Sequence, residues 1–267
     1  MATETLTTMT LEQPLEGVLV VTLNRPDRLN AMTDEMFDEL EQLALAHQRS
    51  DLRALIMTGA GRAFCAGFDL GDADELSSLS PLGMLTKQER AARALSALRS
   101  LPFPVIAAVN GPATGGGLAL ALAADIRIGS PGARFNAAFV RIGLSAGDLG
   151  TSWLLPRLIG PARAAELAYT GRFMEAEEAE RIGLLNRVVP ADGLLDAALE
   201  LAQQIAANSP GGVQLSKRAL QANMEAASFA AALELENRGQ ALLTRSRDMP
   251  EALAAFKEKR APRFTGE

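Results

Sequence analysis

Residues 105–125 read VIAAVNGPATGGGLALALAAD, and this stretch decides the fold. An apolar, β-branched run from Val105 to Val109 meets a turn at Asn110-Gly111-Pro112. Gly115, Gly116 and Gly117 follow, and an alanine- and leucine-rich helix then ends near Asp125. Strand, glycine turn and buried helix make an anion-binding arrangement. The first N–H groups of a helix have no partner inside it, and glycine lets a ligand approach bare backbone. One of these N–H groups is expected to face a substrate oxygen that becomes negative during a reaction. The plainer alternative is that the glycines only let helix and sheet pack closely.

Upstream, residues 17–24 (GVLVVTLN) and 52–58 (LRALIMT) read as buried strands. Between them a helix spans Thr33 to Arg49, with Met36, Phe37, Leu40, Leu43 and Leu45 as its apolar face. Strand, helix, strand favours parallel βαβ units over a sandwich. Residues 59–72 (GAGRAFCAGFDLGD) form a glycine-punctuated loop after the second strand. Ligands of open α/β sheets collect beyond the carboxyl ends of strands, so this loop should lie beside 110–117. Residues 73–85 are small and polar and read as a loop, and a helix is expected over Thr86–Ser100. Downstream, 125–130 reads as a strand and 134–150 as a short strand-like piece with a glycine-rich loop. Two short helices, Trp153 to Ile159 and Ala162 to Tyr169, split at Gly160-Pro161. A helical turn runs from Glu175 to Arg181, and Asn186 to Pro190 reads as an edge strand. From Asp192 strand signals stop, and helical patterns cover 192–207, 211–225, 228–246 and 249–259. The chain therefore divides into an α/β part, 1–190, and a helical part, 191–267.

With 267 residues, 48% apolar and 22% charged, the chain can bury a sizeable core and is not disordered. A net charge of −6 argues against nucleic acid as a partner, although a locally basic pocket could hold an anion. Cys65 is the only cysteine, which excludes an internal disulfide and a cysteine-based metal site. His47 is the only histidine, so a Ser-His-Asp triad would need that residue; it reads as a surface or packing side chain. No bound metal is expected. The first residues, MATETLTTMTLEQ, lack the basic and apolar regions of a secretory signal. The apolar segment 101–124 is broken by Pro102, Pro104, Asn110, Pro112 and glycines, so it is not a membrane helix. A soluble cytoplasmic protein with no membrane partner is expected.

Taken together, NRPDRLNAM at 24–32, GRAFCAGFDL at 61–70 and VIAAVNGPATGGGLALALAADIRI at 105–128 resemble the crotonase superfamily, the enoyl-CoA hydratase/isomerase family. LLPRLIGPARAAELAYTGR at 154–172 and AFKEKRAPRF at 255–264 fit in the same order, so the resemblance spans roughly residues 15–264. It implies an α/β fold: a spiral core of ββα units with a helical C-terminal trimerisation region, assembling as a homotrimer or a dimer of trimers. It also implies an acyl-CoA substrate, with coenzyme A entering as part of the thioester and no permanently bound cofactor. Two backbone N–H groups would hold the thioester oxygen, those of Phe68 and Gly116. Arg28 resembles a CoA-contacting position, Ala66 and Leu70 line the adenine and pantetheine side, and Phe256 and Lys259 match tail residues that reach a neighbouring subunit's CoA. Solvated surface charge is the plain alternative for Arg28 and Lys259. Cys65 reads as a packing residue rather than a nucleophile.

The chain departs from the family pattern at its acid/base pair. The two positions that carry glutamates in the family's hydratases fall on Ala119 and Phe139. Neither a methyl nor a phenyl group moves a proton, so a two-glutamate hydration is not supported. Asp148, in the loop Gly147-Asp148-Leu149-Gly150, sits where related isomerases carry an aspartate base and related dehalogenases an aspartate nucleophile. It is the expected acid/base; the alternative for its side chain is the N-cap of the helix starting near Gly150. Hydration or double-bond isomerisation of an enoyl-CoA is the leading reading. Hydrolysis or dehalogenation through a nucleophilic Asp148, and non-catalytic acyl-CoA binding, stay open. Asp72, Asp74 and Glu75 are further carboxylates near the loop, and Phe68, Met84, Phe139 and Trp153 are candidates to shape the acyl pocket.

Overall fold

The computed structural model describes residues 3–69, 71 and 78–267. Among these, Leu19, Val21 and Leu23 alternate with Val18 and Val20, and the same two-residue period recurs in the neighbouring strands. Each strand is apolar on both faces, as a parallel sheet covered on two sides requires. Seven strands form the main sheet in the order β1 (Thr3–Thr5), β2 (Met9–Leu15), β3 (Val18–Leu23), β4 (Ala54–Gly59), β5 (Val105–Val109), β7 (Ile126–Gly129) and β10 (Arg187–Val188). The pairs from β3 to β10 are parallel, and β1 and β2 add an antiparallel edge. A second sheet holds β6 (Pro112–Thr114), β8 (Arg134–Asn136) and β9 (Phe173–Glu175).

The chain climbs as a spiral. After β5 it crosses to β6 and then enters α3 (Gly116–Ala123); after β7 it crosses to β8 and, through a 3-10 turn at Ala138–Ile142, reaches α4 (Thr151–Ile159). Two earlier turns reach the second layer through single parallel bridges, Met32 to Phe68 and Cys65 to Ala113. Helices α1 (Asp34–Ala46) and α2 (Pro81–Arg99) complete those turns. The α/β architecture expected from the sequence is the one observed.

One face of the main sheet packs on α1 to α3 through Leu55, Met57, Val105 and Val109. The other is covered by α7 (Leu194–Ala206), whose Leu194, Ala198 and Ala202 meet Val20, Ile56, Ile106 and Ile128. Short helices α5 (Pro161–Thr170) and α6 (Ala176–Arg181) precede it, and α8 (Pro210–Asn223), α9 (Phe229–Leu243) and α10 (Asp248–Glu258) follow. Helix α9 buries none of its residues within the chain.

Several boundaries differ from expectation. Helix α2 starts at Pro81 rather than Thr86, because Ser80 caps it by accepting from the Gly83 N–H and Pro81 fits its first turn. Pro112 opens strand β6 instead of completing a turn; as the first residue of a short strand it costs no ladder bond. On α1 the buried face uses Ala44, and Leu45 is 59% exposed, since one residue along a helix turns a side chain by 100°.

The turn after β3 is held by Asn30, which is fully buried with φ 56°. Its Oδ1 accepts from the Arg25 N–H at 2.9 Å, and its Nδ2 donates to the carbonyls of Ala60 at 2.9 Å and Ala63 at 2.8 Å. Asparagine tolerates this left-handed conformation. Replacing it by alanine removes three buried or part-buried hydrogen bonds to the backbone, and Asn30→Ala is expected to lower stability by about 3 kcal/mol, read from urea unfolding midpoints.

Candidate active site

The crossings of the spiral bring the two glycine-rich loops together. Cys65 pairs with Ala113, its carbonyl accepting from the Thr114 N–H at 3.0 Å. Gly117 at the start of α3 rests on this carbonyl; a Cβ there would overlap it. Gly67, with φ 90°, comes so close to the next turn that a Cβ would lie 2.6 Å from the Thr114 carbonyl and 3.2 Å from the Gly116 nitrogen. Glycine at both positions is what lets residues 67–68 and 115–116 meet.

Backbone directions follow from the pairing. The Met32 N–H donates to the Gly67 carbonyl at 2.7 Å, and the Asp69 N–H donates to the Met32 carbonyl at 2.9 Å. In a trans peptide the C=O and N–H point opposite ways, so a Gly67 carbonyl aimed at Met32 turns the Phe68 N–H away from Met32. Gly116 is the first residue of α3, where N–H groups have no intrahelical acceptor. Among the described residues neither the Phe68 nor the Gly116 N–H donates to a protein acceptor. Both residues line a cavity of about 780 Å³, together with Ala66, Gly67, Thr114 and Gly115.

The remaining wall is largely apolar. Helix α2 contributes Met84, Lys87, Gln88, Glu89 and Ala92, and the segment after β8 contributes Phe139, Ile142, Leu144 and Leu149. Phe68 also packs on Phe37, ring centroids 5.5 Å apart. Phe139 is 3% exposed and sits beside Gly115, and Ala119 is fully buried on α3. The two positions of the glutamate pair thus present hydrocarbon.

Asp148 lines the same cavity and is half-buried. Burial pushes its carboxyl above the ordinary range, and the Leu149 N–H opposes this in part. Its side chain does not cap α4. The N-cap is Gly150, with φ 80° and no side-chain bond, and the Thr151 N–H donates to the backbone carbonyl of Asp148 at 2.8 Å, not to its side chain. Leu149, at φ 47°, and Gly150 are both left-handed, a turn that a leucine adopts at a cost of about 1–2 kcal/mol. Such strain concentrates at functional sites.

Other expected residues lie elsewhere. Ala66 lines the cavity, whereas Arg28 is exposed on the 3-10 turn Pro26–Arg28. Phe256 is 85% exposed on α10, Lys259 follows it with φ 55°, and the single chain brings neither to the cavity. Leu70, Asp72, Asp74 and Glu75 lie outside the described residues. Trp153 does not line the cavity; it is 42% exposed, and the Arg157 guanidinium stacks 3.2 Å from its ring centroid. His47 ends α1 away from the cavity. Cys65 is fully buried and its thiol is pushed up to about 12, as suits a packing residue. Glu89 is a second carboxylate on the cavity wall that sequence reasoning missed, because the run Lys87-Gln88-Glu89-Arg90 reads as a solvated helix face.

Known proteins resemble this chain along its length. The family model described as enoyl-CoA hydratase/isomerase matches residues 13–267. A Mycobacterium tuberculosis protein named "Probable enoyl-CoA hydratase EchA12" is 45% identical, over 98% of this chain and 94% of its own length. The 1,2-epoxyphenylacetyl-CoA isomerase of Escherichia coli is 43% identical, over 94% of this chain and 96% of its own. The crystal structure of an enoyl-CoA hydratase from Bacillus anthracis superposes with a TM-score of 0.92 at 35% identity, covering 97% of this chain and 100% of that one.

Proposed function

The chain belongs to the enoyl-CoA hydratase/isomerase family, and on that premise we propose that it catalyses proton transfer on an acyl-CoA thioester. The Phe68 and Gly116 N–H groups hold the thioester oxygen. As a proton leaves the carbon next to the carbonyl, negative charge gathers on that oxygen, where two fixed donors and the N-terminus of α3 stabilise it. Asp148 takes the proton and returns it. The observation that carries this reading is one cavity lined by Phe68 and Gly116, whose N–H groups have no protein acceptor among the described residues, by the half-buried Asp148, and by Phe139 at one position of the glutamate pair, the other being the buried Ala119.

One half-buried carboxylate, with Glu89 exposed on the wall from α2, favours a double-bond shift over hydration. Moving a proton along the acyl chain needs one group that accepts and then donates, whereas adding water needs a second to position that water. The reading is tested by incubating a panel of enoyl-CoA esters in D2O. Deuterium at carbons alpha or gamma to the carbonyl supports it. A covalent ester on Asp148, caught by rapid quench and mass spectrometry, would replace it with the hydrolase or dehalogenase reading, and acyl-CoA binding without exchange or turnover would replace it with the binder reading.

Asp148 works as a base only when ionised. Its raised pKa places the acidic limb of kcat/KM above the ordinary carboxylate range, so activity falls as pH drops through that value. A pH–rate profile, with Asp148→Asn as the control that lacks the limb, checks this.

We also place the helical region at a subunit interface. Leu220, Phe229, Leu242 and Phe256 are 67–85% exposed on α8 to α10, more apolar surface than a solitary chain commonly leaves bare. A homotrimer or dimer of trimers covers it and lets Phe256 and Lys259 reach a neighbour's CoA. The mass in light scattering, for wild type and Phe229→Glu, tests the assembly.

A further inference from the structure

The motif Asn24-Arg25-Pro26-Asp27-Arg28-Leu29-Asn30 contains a side chain that the chemistry above does not use, that of Arg25. Its side chain is partly buried, and its Nη1 donates to the Ala31 carbonyl. That carbonyl belongs to the same peptide as the Met32 N–H, which donates to the Gly67 carbonyl at 2.7 Å. The Gly67 carbonyl in turn belongs to the same peptide as the Phe68 N–H. A cation therefore stands at the far end of two peptides joined head to tail, and the near end is the N–H of Phe68, a residue that lines the cavity.

We propose that Arg25 strengthens and positions the Phe68 N–H through this two-peptide hydrogen-bonded chain, so that part of its charge is felt by the substrate oxygen. The inference rests on the reading of Phe68 as an oxyanion donor. The direction is right: a donor that pulls electron density from one carbonyl makes the N–H of that peptide a stronger donor, and the effect passes along the chain. Hydrogen bonds from a charged donor are the stronger kind. The guanidinium is itself fixed. Its Nη2 pairs with Asp69 at 2.9 Å, Asp69 Oδ1 accepts from the Gly71 N–H at 3.0 Å, and the Arg25 N–H is held by Asn30 at 2.9 Å. Asp69 also closes the loop, because its N–H binds the carbonyl of Met32. Arg25 does not line the cavity and is a positioning residue.

The test compares wild type with Arg25→Met, Arg25→Gln and Arg25→Lys. A 2-enoyl-CoA labelled with 13C at the thioester carbonyl is bound, and its C=O stretch is read by infrared difference spectroscopy beside kcat and KM. Wild type should shift the stretch to lower frequency than in water. Both neutral variants should lose much of that shift, with kcat down about 10-fold to 100-fold and KM nearly unchanged, as expected when a transition-state donor weakens or moves. Arg25→Lys should regain part of both. If Arg25→Met unfolds, Arg25→Gln, which can still bond the Ala31 carbonyl, carries the comparison. A neutral variant that folds and keeps the wild-type shift and kcat overturns the role of Arg25 alone. Absence of any shift in wild type overturns this proposal and the oxyanion reading with it.

Discussion

Asp148→Asn is expected to lower kcat by about 10²–10⁴-fold, the range a general base contributes, while acyl-CoA still binds. The amide matches the carboxylate in shape but takes up no proton at neutral pH. No structural duty is lost with the charge: Gly150 is the N-cap of α4, and the bond from Thr151 goes to the backbone of residue 148. Burial disfavours the ionised carboxyl in the folded chain, so a neutral side chain should leave the melting temperature equal or raise it. A loss of activity with undiminished stability is the signature of a group kept for chemistry. Turnover of an enoyl-CoA, binding by calorimetry and a thermal melt give the three readings. If the variant keeps wild-type kcat, the base lies elsewhere, and Glu89 on the facing wall becomes the next residue to change.

Gly67→Ala is expected to lower kcat by about 10²–10³-fold, the loss recorded elsewhere when one oxyanion donor is removed. Two costs add at this residue. A φ of 90° is one that residues with a Cβ rarely adopt, and the new methyl would sit 2.6 Å from the Thr114 carbonyl and 3.2 Å from the Gly116 nitrogen. Backbone cannot yield the way a flexible side chain does. The loops must move apart, and the distance between the two donors grows with them. A catalytic constellation tolerates about 0.5 Å of error. The loss should fall on kcat more than on KM, because the donors act most strongly once charge has developed. The melting temperature should also fall. Wild-type kcat in a folded Gly67→Ala enzyme would show that the donors are not where the thioester oxygen sits.

The main sheet was legible because its strands are buried on both faces, and a run such as Val105 to Val109 has few other readings. The edge strand β2 was not. It contains Pro14 and two glutamine- or glutamate-bearing positions, Glu12 and Gln13, and only part of it is buried. In the second sheet only β8 shows in the sequence, as a short strand-like piece, and β6 and β9 do not, for a different reason. Strands β6, β8 and β9 have three residues each, too short for a periodic signal. Helix α2 carried its start signals, Ser80 and Pro81, but the exposed Leu82 and Leu85 blur its amphipathic pattern. The site was readable in a particular way. Its donors are backbone groups with no side chain to announce them, so only the glycine spacing and the family motif mark them. Glu89 had no such motif, and the Arg25 chain depends on peptide orientations that no sequence spells out.

Helix α7 has a consequence in time. The sheet face it covers is complete once β7 has been made, but α7 begins roughly 65 residues later. At bacterial or eukaryotic synthesis rates the ribosome needs about 3–13 s to cover that distance. Throughout that interval Val20, Ile56, Ile106 and Ile128 lack the cover of Leu194, Ala198 and Ala202. The nascent chain therefore shows a flat, greasy surface before its own lid emerges, and this is the period in which a chaperone has something to hold.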